Sequence, residues 1–215
     1  QYNVYYNELL NLGESDSIPI DVETKLLQLS NCVYPVDSDN IEDVYGENGI
    51  NNCFNKLSNK YTYKKNIPDF LDLDLLRNYS SKIYSIITEI NNSEGIVFIY
   101  SNFLAGGILP LVLALEQNGY AKYDGKTVLK SNTKRDPINY KGERGKNKIP
   151  AKYMVVAGNS LKMTNDFKKE LKIVTDPDNS DGSNIKIIIG SSVAAEGLDF
   201  KNIRAIQDQL ILRAK

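Results

Sequence analysis

The feature that most constrains this chain is a run of five residues without a charged or hydrogen-bonding interruption until its last hydroxyl, Ile96-Val97-Phe98-Ile99-Tyr100. A short β-branched run of this kind reads as a strand buried on both faces, as in a parallel sheet covered by helices on each side. Two similar runs follow, Tyr153-Met154-Val155-Val156 and Ile185-Lys186-Ile187-Ile188-Ile189, with a short fourth at Ile203-Arg204-Ala205-Ile206. Helical patterns lie between and before them. Ile83, Ile86, Ile87 and Ile90 share one face, with Ser80 or Ser81 available as the cap. Leu104, Ile108, Leu111, Val112 and Leu115 form a second stripe, ended by Gly119 where a left-handed cap belongs. Pro110 fits that helix only in its first turn or at a kink. A third helix is expected to turn Leu161, Phe167 and Leu171 inward and Lys168, Lys169 and Lys172 outward, before turn residues at Asn179 to Gly182. The alternation predicts an α/β domain with a mainly parallel sheet.

The remaining stretches read differently. Residues 1–79 are rich in Asn and Asp, are broken by Pro19, Pro35 and Pro68, and hold one clear apolar run at Leu26, Leu27 and Leu29. They predict an irregular extension that needs something else to pack on. Residues 120–151 are too long and polar for an ordinary connection. Charge separates the two: residues 1–60 carry 3 Lys/Arg and 10 Asp/Glu, whereas residues 121–152 carry 10 and 3. The organisation expected is an acidic, Asn-rich extension over 1–75 and an α/β domain over 76–215 with a basic insertion at 121–152. Lys141, Arg144, Lys146 and Lys148 in that insertion are candidate contacts to phosphates, against the alternative of a solvated loop.

Several chemistries are excluded within these residues. The chain has no histidine, so Ser-His-Asp and Cys-His catalysis and His-containing zinc sites are ruled out. Cys32 and Cys53 are too few for a disulfide scaffold or a four-cysteine metal site and read as reduced structural thiols. No run approaches the roughly 20 apolar residues of a membrane span. Gly125-Lys126-Thr127 imitates the end of a phosphate-binding P-loop, but Tyr120 occupies the position where that loop needs its first glycine. No paired Asp-Glu segment ends a strand, so these residues alone are not expected to hydrolyse ATP, and no catalytic residue or metal ligand is assigned. The Gly106-Gly107 loop after the first strand lacks the G-x-G-x-x-G spacing of a dinucleotide site.

The segment Ser191-Ser192-Val193-Ala194-Ala195-Glu196-Gly197-Leu198-Asp199-Phe200 leaves the C-terminal end of the third strand, where open α/β sheets bind ligands. Its hydroxyls and small residues suit contact with a nucleic-acid backbone, and an Asp beyond a Gly turn can accept from ribose hydroxyls. Composition alone leaves an ordinary strand-to-loop transition open. The paired blocks Gly95 to Phe103 and Ile187 to Phe200 resemble motifs IV and V of superfamily 2 helicases, in their second RecA-like domain. The wording around them, Tyr79 to Ile83, Leu109-Pro110-Leu111 through Tyr120, and Asp199 to Arg204, is similar to the helicase-type NTPases and early transcription factors of large cytoplasmic DNA viruses, the mimivirus and poxvirus type. The resemblance covers about residues 76–206.

By that resemblance Ser101, Asn102, Ser191 and Ser192 would contact the nucleic-acid backbone, and Gly197 and Asp199 would face the ATP ribose. Glu196 stands where many relatives carry Arg. The family's Gln-x-x-Gly-Arg-x-x-Arg segment is not matched by Gln207 to Lys215, and Arg213 takes no finger role. The resemblance implies the C-terminal lobe of an ATP-dependent helicase or translocase, with ATP and Mg bound only together with an N-terminal ATPase lobe. It further implies DNA or RNA as partner, no membrane, association with viral RNA polymerase or virion core proteins, and a place in the cytoplasmic viral factory or the virion. The opening Gln1 and the unmatched end lead us to expect either a piece of a longer or processed protein or a chain from which disordered stretches are left out. The rival expectation is a non-enzymatic, helicase-like scaffold component of a virion or transcription complex.

Overall fold

The computed structural model describes residues 20–156, 167–191 and 203–207. In chain order these residues form α1 (Ile20–Asn31), α2 (Gly46–Cys53), β1 (Phe54–Leu57), β2 (Lys60–Tyr63), α3 (Leu73–Leu76), α4 (Ser81–Asn92) and β3 (Ile96–Tyr100). Then come α5 (Leu109–Gln117), β4 (Ala121–Lys122), β5 (Lys152–Val156), α6 (Phe167–Val174), β6 (Ile187–Gly190) and β7 (Ile203–Gln207). The apolar runs pair with one another, as buried main-chain groups must. They make one sheet in the order β4-β5-β6-β3-β7, parallel at every junction. The expected α/β architecture with a parallel sheet flanked by helices is therefore present.

Alternation along the strands divides the sheet's two faces. Val97, Ile99, Tyr153, Val155, Ile187 and Ile189 join the core beneath α4 and α5, while Ile96, Met154, Val156 and Ile188 pack with Val174 of α6. Helix α4 forms as its spacing predicts: Ser80 Oγ accepts from Ile83 N at 3.0 Å, and Ile83, Ile86, Ile87 and Ile90 are buried. Each such side chain stabilises the fold by about 1.5–3 kcal/mol. Helix α5 is buried along its length, starts with Pro110 in its first turn, and is followed by Gly119 at φ +88°. Its predicted first turn, Leu104–Ile108, is instead a wider π-helical turn.

Residues 20–79 depart from the irregular reading. They hold three helices and the antiparallel β1–β2 hairpin, and they pack on the α/β body itself. Tyr34, Cys53, Phe54, Phe70, Leu71 and Leu76 belong to the same core as β3, β5 and β6. Aromatic edges lock this side: Tyr34 and Tyr79 lie 5.5 and 5.4 Å from Phe70, and Phe54 lies 4.7 Å from Tyr63. Leu26 and Leu29 of α1 form a smaller core with Val33, Val44 and Tyr45. Cys32 and Cys53 are buried and form no disulfide, and burial pushes the Cys53 thiol up to about 12.

The insertion, too, is tied down. Glu116, only 1% exposed on α5, accepts from Val128 N at 2.9 Å, Leu129 N at 2.8 Å, Tyr153 Oη at 2.7 Å and Lys134 Nζ at 3.2 Å. Asn118 joins the same end of α5 to residues 71–73, accepting from Leu73 N at 3.0 Å and donating to Leu71 O at 2.8 Å. Arg135 reaches the acidic side of the chain and grips Asp72 in a bidentate pair at 2.8 and 2.6 Å. The hairpin gains an edge from the insertion, with Tyr61 N donating to Val128 O and Lys130 N to Tyr61 O, both at 2.8 Å. Extension and insertion thus fold as neighbours, with opposite charges in contact.

Candidate nucleic-acid interface

Parallel pairing brings the ends of β3 and β6 together. Tyr100 is the register partner of Gly190, and Ser101 N donates to Gly190 O at 3.0 Å. On the other side of β6, Ser191 N donates to Val156 O at 3.0 Å, so the exits of β3, β5 and β6 form one ledge. This is the C-terminal edge of a parallel sheet, where ligands of open α/β folds sit.

The polar side chains on the ledge are not equivalent. Asn102 is exposed, and its Oδ1 accepts from the Tyr100 hydroxyl. Ser101 is fully buried: its Oγ donates to Phe103 O and accepts from Phe103 N, both at 3.2 Å. Ser191 is also buried, at 6% exposure. In this conformation the ledge offers the Asn102 amide outward, and the Ser101 hydroxyl closes the loop on itself. Ser192, Gly197 and Asp199 lie outside the described residues, as do Glu196 and Arg213. Among the described residues no three acidic or thiol side chains converge as metal ligands, so none of them is assigned to Mg.

The basic insertion lies at the opposite end of the sheet. Helices α4 and α5 run back to the starts of β3 and β4, and their C-terminal residues carry the insertion. A side chain at Gly142 would come within 2.4 Å of Asn91 O, and Arg144 Nη1 donates to Asn118 O at 3.0 Å. A polar cleft of about 1000 Å³ marks this end, lined by residues 91–95, Tyr140, Lys141, Ser180, Asp181 and Lys186. Lys186, the one charge in its strand run, is accommodated here: its Nζ donates to Ser93 O at 2.6 Å, and burial pulls its pKa down. A five-residue strand spans roughly 16 Å. The structure therefore separates Lys141, Arg144, Lys146 and Lys148 from Asn102 and Ser191 instead of joining them in one patch.

Nor are the four cations alike. All four are exposed, but they differ in their partners, and Lys141 lies 5.6 Å from the centre of the Tyr140 ring. Lys148 pairs with Glu143 at 2.7 Å. Arg144 also donates to Asp136 O at 2.6 Å, and burial lowers its pKa. Gly125-Lys126-Thr127 forms an exposed turn, with Gly125 at φ +73°, preceded by the two-residue β4 and followed by no helix. It is not a phosphate-wrapping loop.

Sequence reasoning missed the side chains that hold the ledge: Gln28 and Asn31 of α1, and Lys82 of α4. Asn31 Nδ2 donates to Gly106 O at 3.1 Å, and Lys82 Nζ donates to Ser30 Oγ at 2.6 Å. The available signal was Gly106-Gly107 inside a helical stripe, which marks a close approach by another part of the chain.

Comparison with known proteins agrees with the relationship implied by the strand-tip motifs. No protein-family profile and no solved structure matches the chain. An Acanthamoeba polyphaga mimivirus protein named "Putative ATP-dependent RNA helicase R563" is 28% identical over 205 residues, covering 86% of this chain and 32% of the relative. Invertebrate iridescent virus 3 has a protein named, with the same qualifier, helicase 087L; it is 29% identical over 182 residues, 83% of this chain and 16% of that one. The early transcription factor 70 kDa subunit of vaccinia virus (strain Copenhagen) is 30% identical over 130 residues, 60% of this chain and 18% of the subunit. The chain thus spans about a third or less of these relatives, and it is related to viral proteins named as helicases and as an early transcription factor subunit.

Proposed function

We propose that this chain is the second RecA-like lobe, about residues 76–215 with the segment before it, of a viral ATP-dependent superfamily 2 helicase or translocase acting in transcription. The observation that carries the reading is the adjacency of the β3 and β6 tips. Two chain exits 90 residues apart in sequence stand side by side, as a shared grip on one sugar-phosphate chain requires. Asn102 is the outward donor at that grip, and Ser192, beyond the end of β6, is proposed to extend it; the Ser191 N–H, which donates to Val156 O, sets the position of that exit. Lys141 and Lys146 at the far end of the sheet act as diffuse phosphate contacts that add affinity without sequence preference.

Gly197 and Asp199 are proposed to face the ribose of ATP, whose binding and hydrolysis, with Mg, need the P-loop of a partner ATPase lobe. ATP bound between two such lobes would supply the free energy for alternate closing and opening. This lobe's part is to hold phosphates and report the nucleotide state, without turnover alone. The partners proposed are DNA or RNA, the N-terminal lobe, and viral polymerase or virion core proteins, in the cytoplasmic factory or the virion.

The test is nucleic-acid-stimulated ATPase of the full-length protein with Asn102→Ala, Gly197→Ala or Asp199→Ala. Loss of a charge-assisted hydrogen bond is expected to weaken stimulation about tenfold or more for Asn102→Ala. Unchanged ATPase and unchanged stimulation in all three would leave the scaffold role in place of the motor.

A further inference from the structure

The loop that follows β3 is gripped from two sides. Inside, Ser101 folds back on Phe103, and a side chain at Gly107 would come within 2.2 Å of Ser101 Oγ. Outside, α1 lies across the π-turn Leu104–Ile108: a side chain at Gly106 would meet Gln28 Oε1 at 2.5 Å and Gln28 Cγ at 2.8 Å. The glycine pair is what lets both neighbours approach so closely.

Hydrogen bonds fix α1 in that place. Asn31, fully buried, donates from Nδ2 to Gly106 O at 3.1 Å, satisfying a carbonyl that the π-turn shares with no described main-chain donor outside its own helix. The Asn31 carbonyl accepts from Ser80 Oγ, the same hydroxyl that caps α4. Val33 N donates to Tyr79 O at 2.9 Å. Lys82 Nζ reaches both Ser30 Oγ at 2.6 Å and Asn31 Oδ1 at 3.3 Å, and burial lowers its pKa. Helix α1 is thus bound both to the start of α4 and to the π-turn. π-turns in helices are frequent at functional sites, and this one separates the β3 tip from the buried helix α5.

We propose that α1 is a brace for the strand-tip loop, with Gln28 and Asn31 as positioning residues that fix residues 101–108 and hence the outward presentation of Asn102. A segment that sequence assigns to an acidic extension is on this view part of the grip. The proposal rests on the nucleic-acid reading of the β3 tip only for its consequence; the bracing itself is a property of the fold.

The test uses the whole chain and amide hydrogen exchange. Asn31→Ala is expected to speed exchange of residues 104–108 about tenfold, the effect of one lost buried hydrogen bond, while β5 and β6 keep their protection. Gln28→Ala, which removes only a half-buried side chain, keeps the test open if Asn31→Ala fails to fold. Gly106→Ala should disturb the same loop, and Gly106→Ala combined with Gln28→Ala should restore it, because Gln28 is what the new methyl meets. Oligonucleotide binding should fall severalfold in Asn31→Ala and in Gly106→Ala, and the loss in Gly106→Ala should be reversed when Gln28→Ala is added. Unchanged loop exchange in both Asn31→Ala and Gln28→Ala, or no restoration in the double variant, overturns the brace. If exchange responds as stated but neither Asn102→Ala nor Asn31→Ala alters oligonucleotide binding, the brace stands and the nucleic-acid reading of the tip is what fails.

Discussion

The two ends of the sheet differ in a way that composition conceals. At the C-terminal end, among the described residues, strand tips meet with little charge, and the exposed Asn102 amide stands beside two buried serines. At the N-terminal end, the insertion carries ten Lys/Arg over residues 121–152, yet many of these are already engaged. Lys134 binds Glu116, Arg135 binds Asp72 and Asp74, Arg144 binds two carbonyls, and Lys148 binds Glu143. The lesson is that a charge run measures attraction only after the internal pairs have been removed from it. What a parallel sheet offers a ligand is fixed instead by where its strands stop.

The largest expected effect breaks the N-terminal end alone. Glu116→Ala strands two main-chain donors, the Tyr153 hydroxyl and Lys134, so it should cost about 3–5 kcal/mol in denaturant unfolding, as removal of one partner of a buried ion pair does. A loss under about 1 kcal/mol would mean that the insertion is not held through this carboxylate. Next, Arg144→Ala should destabilise by about 1 kcal/mol, because the carbonyl of the buried Asn118 loses its guanidinium donor while the exposed Asp136 carbonyl can turn to water. Lys141→Gln with Lys146→Gln should leave stability within about 0.5 kcal/mol. It is the lysine pair that should flatten the salt dependence of oligonucleotide binding, by about 0.7–0.9 in log–log slope per lost contact. The reverse pattern, with Arg144 governing the slope and the lysines governing stability, would invert our division of the cations.

How much of this was legible depends on what signals burial. The strands β3, β5 and β6 could be read because a strand covered on both faces has nowhere to put polar residues. Ser80 and the four isoleucines of α4 were equally plain. The segment before them was not, because its buried residues are scattered singly or in pairs, aromatics such as Tyr34, Phe54, Tyr61 and Phe70 and aliphatics such as Val44, Ile50 and Leu76, set among Asn and Asp with no sustained period to follow. They find one another only in three dimensions, across the chain from β5 and β6. The site was legible in part for a related reason. The tips of β3 and β6 announce themselves by their runs, whereas the inward turn of Ser101 and the reach of Asn31 to Gly106 depend on tertiary contacts. Nothing in the sequence around Glu116 marks it as the carboxylate that holds the insertion. Which cations it and Asp72 would occupy could not be read from spacing.

The smallest expected effect sharpens the charge contact between extension and insertion. The Arg135 guanidinium hydrogen-bonded to Asp72 holds that carboxyl below its ordinary value. A carboxyl whose pKa is depressed on folding stabilises the fold at pH above its unfolded value of about 4 and loses that contribution as pH falls below it. The wild-type chain should therefore lose about 1 kcal/mol more than Asp72→Asn between pH 6 and pH 3, a modest amount because the pair is partly exposed. Equal acid sensitivity in the two chains would show that the bidentate pair contributes nothing to joining them.

The most direct measurement is photocrosslinking of a single-stranded oligonucleotide bearing photoreactive bases, with the adducts mapped to peptides. Adducts are expected on the peptide containing Tyr100 to Phe103 and on the peptide leaving β6 at Gly190-Ser191, with weaker, salt-sensitive labelling at Lys141 and Lys146. Adducts confined to residues 141–148, with the β3 and β6 tips unlabelled at every salt concentration, would contradict it.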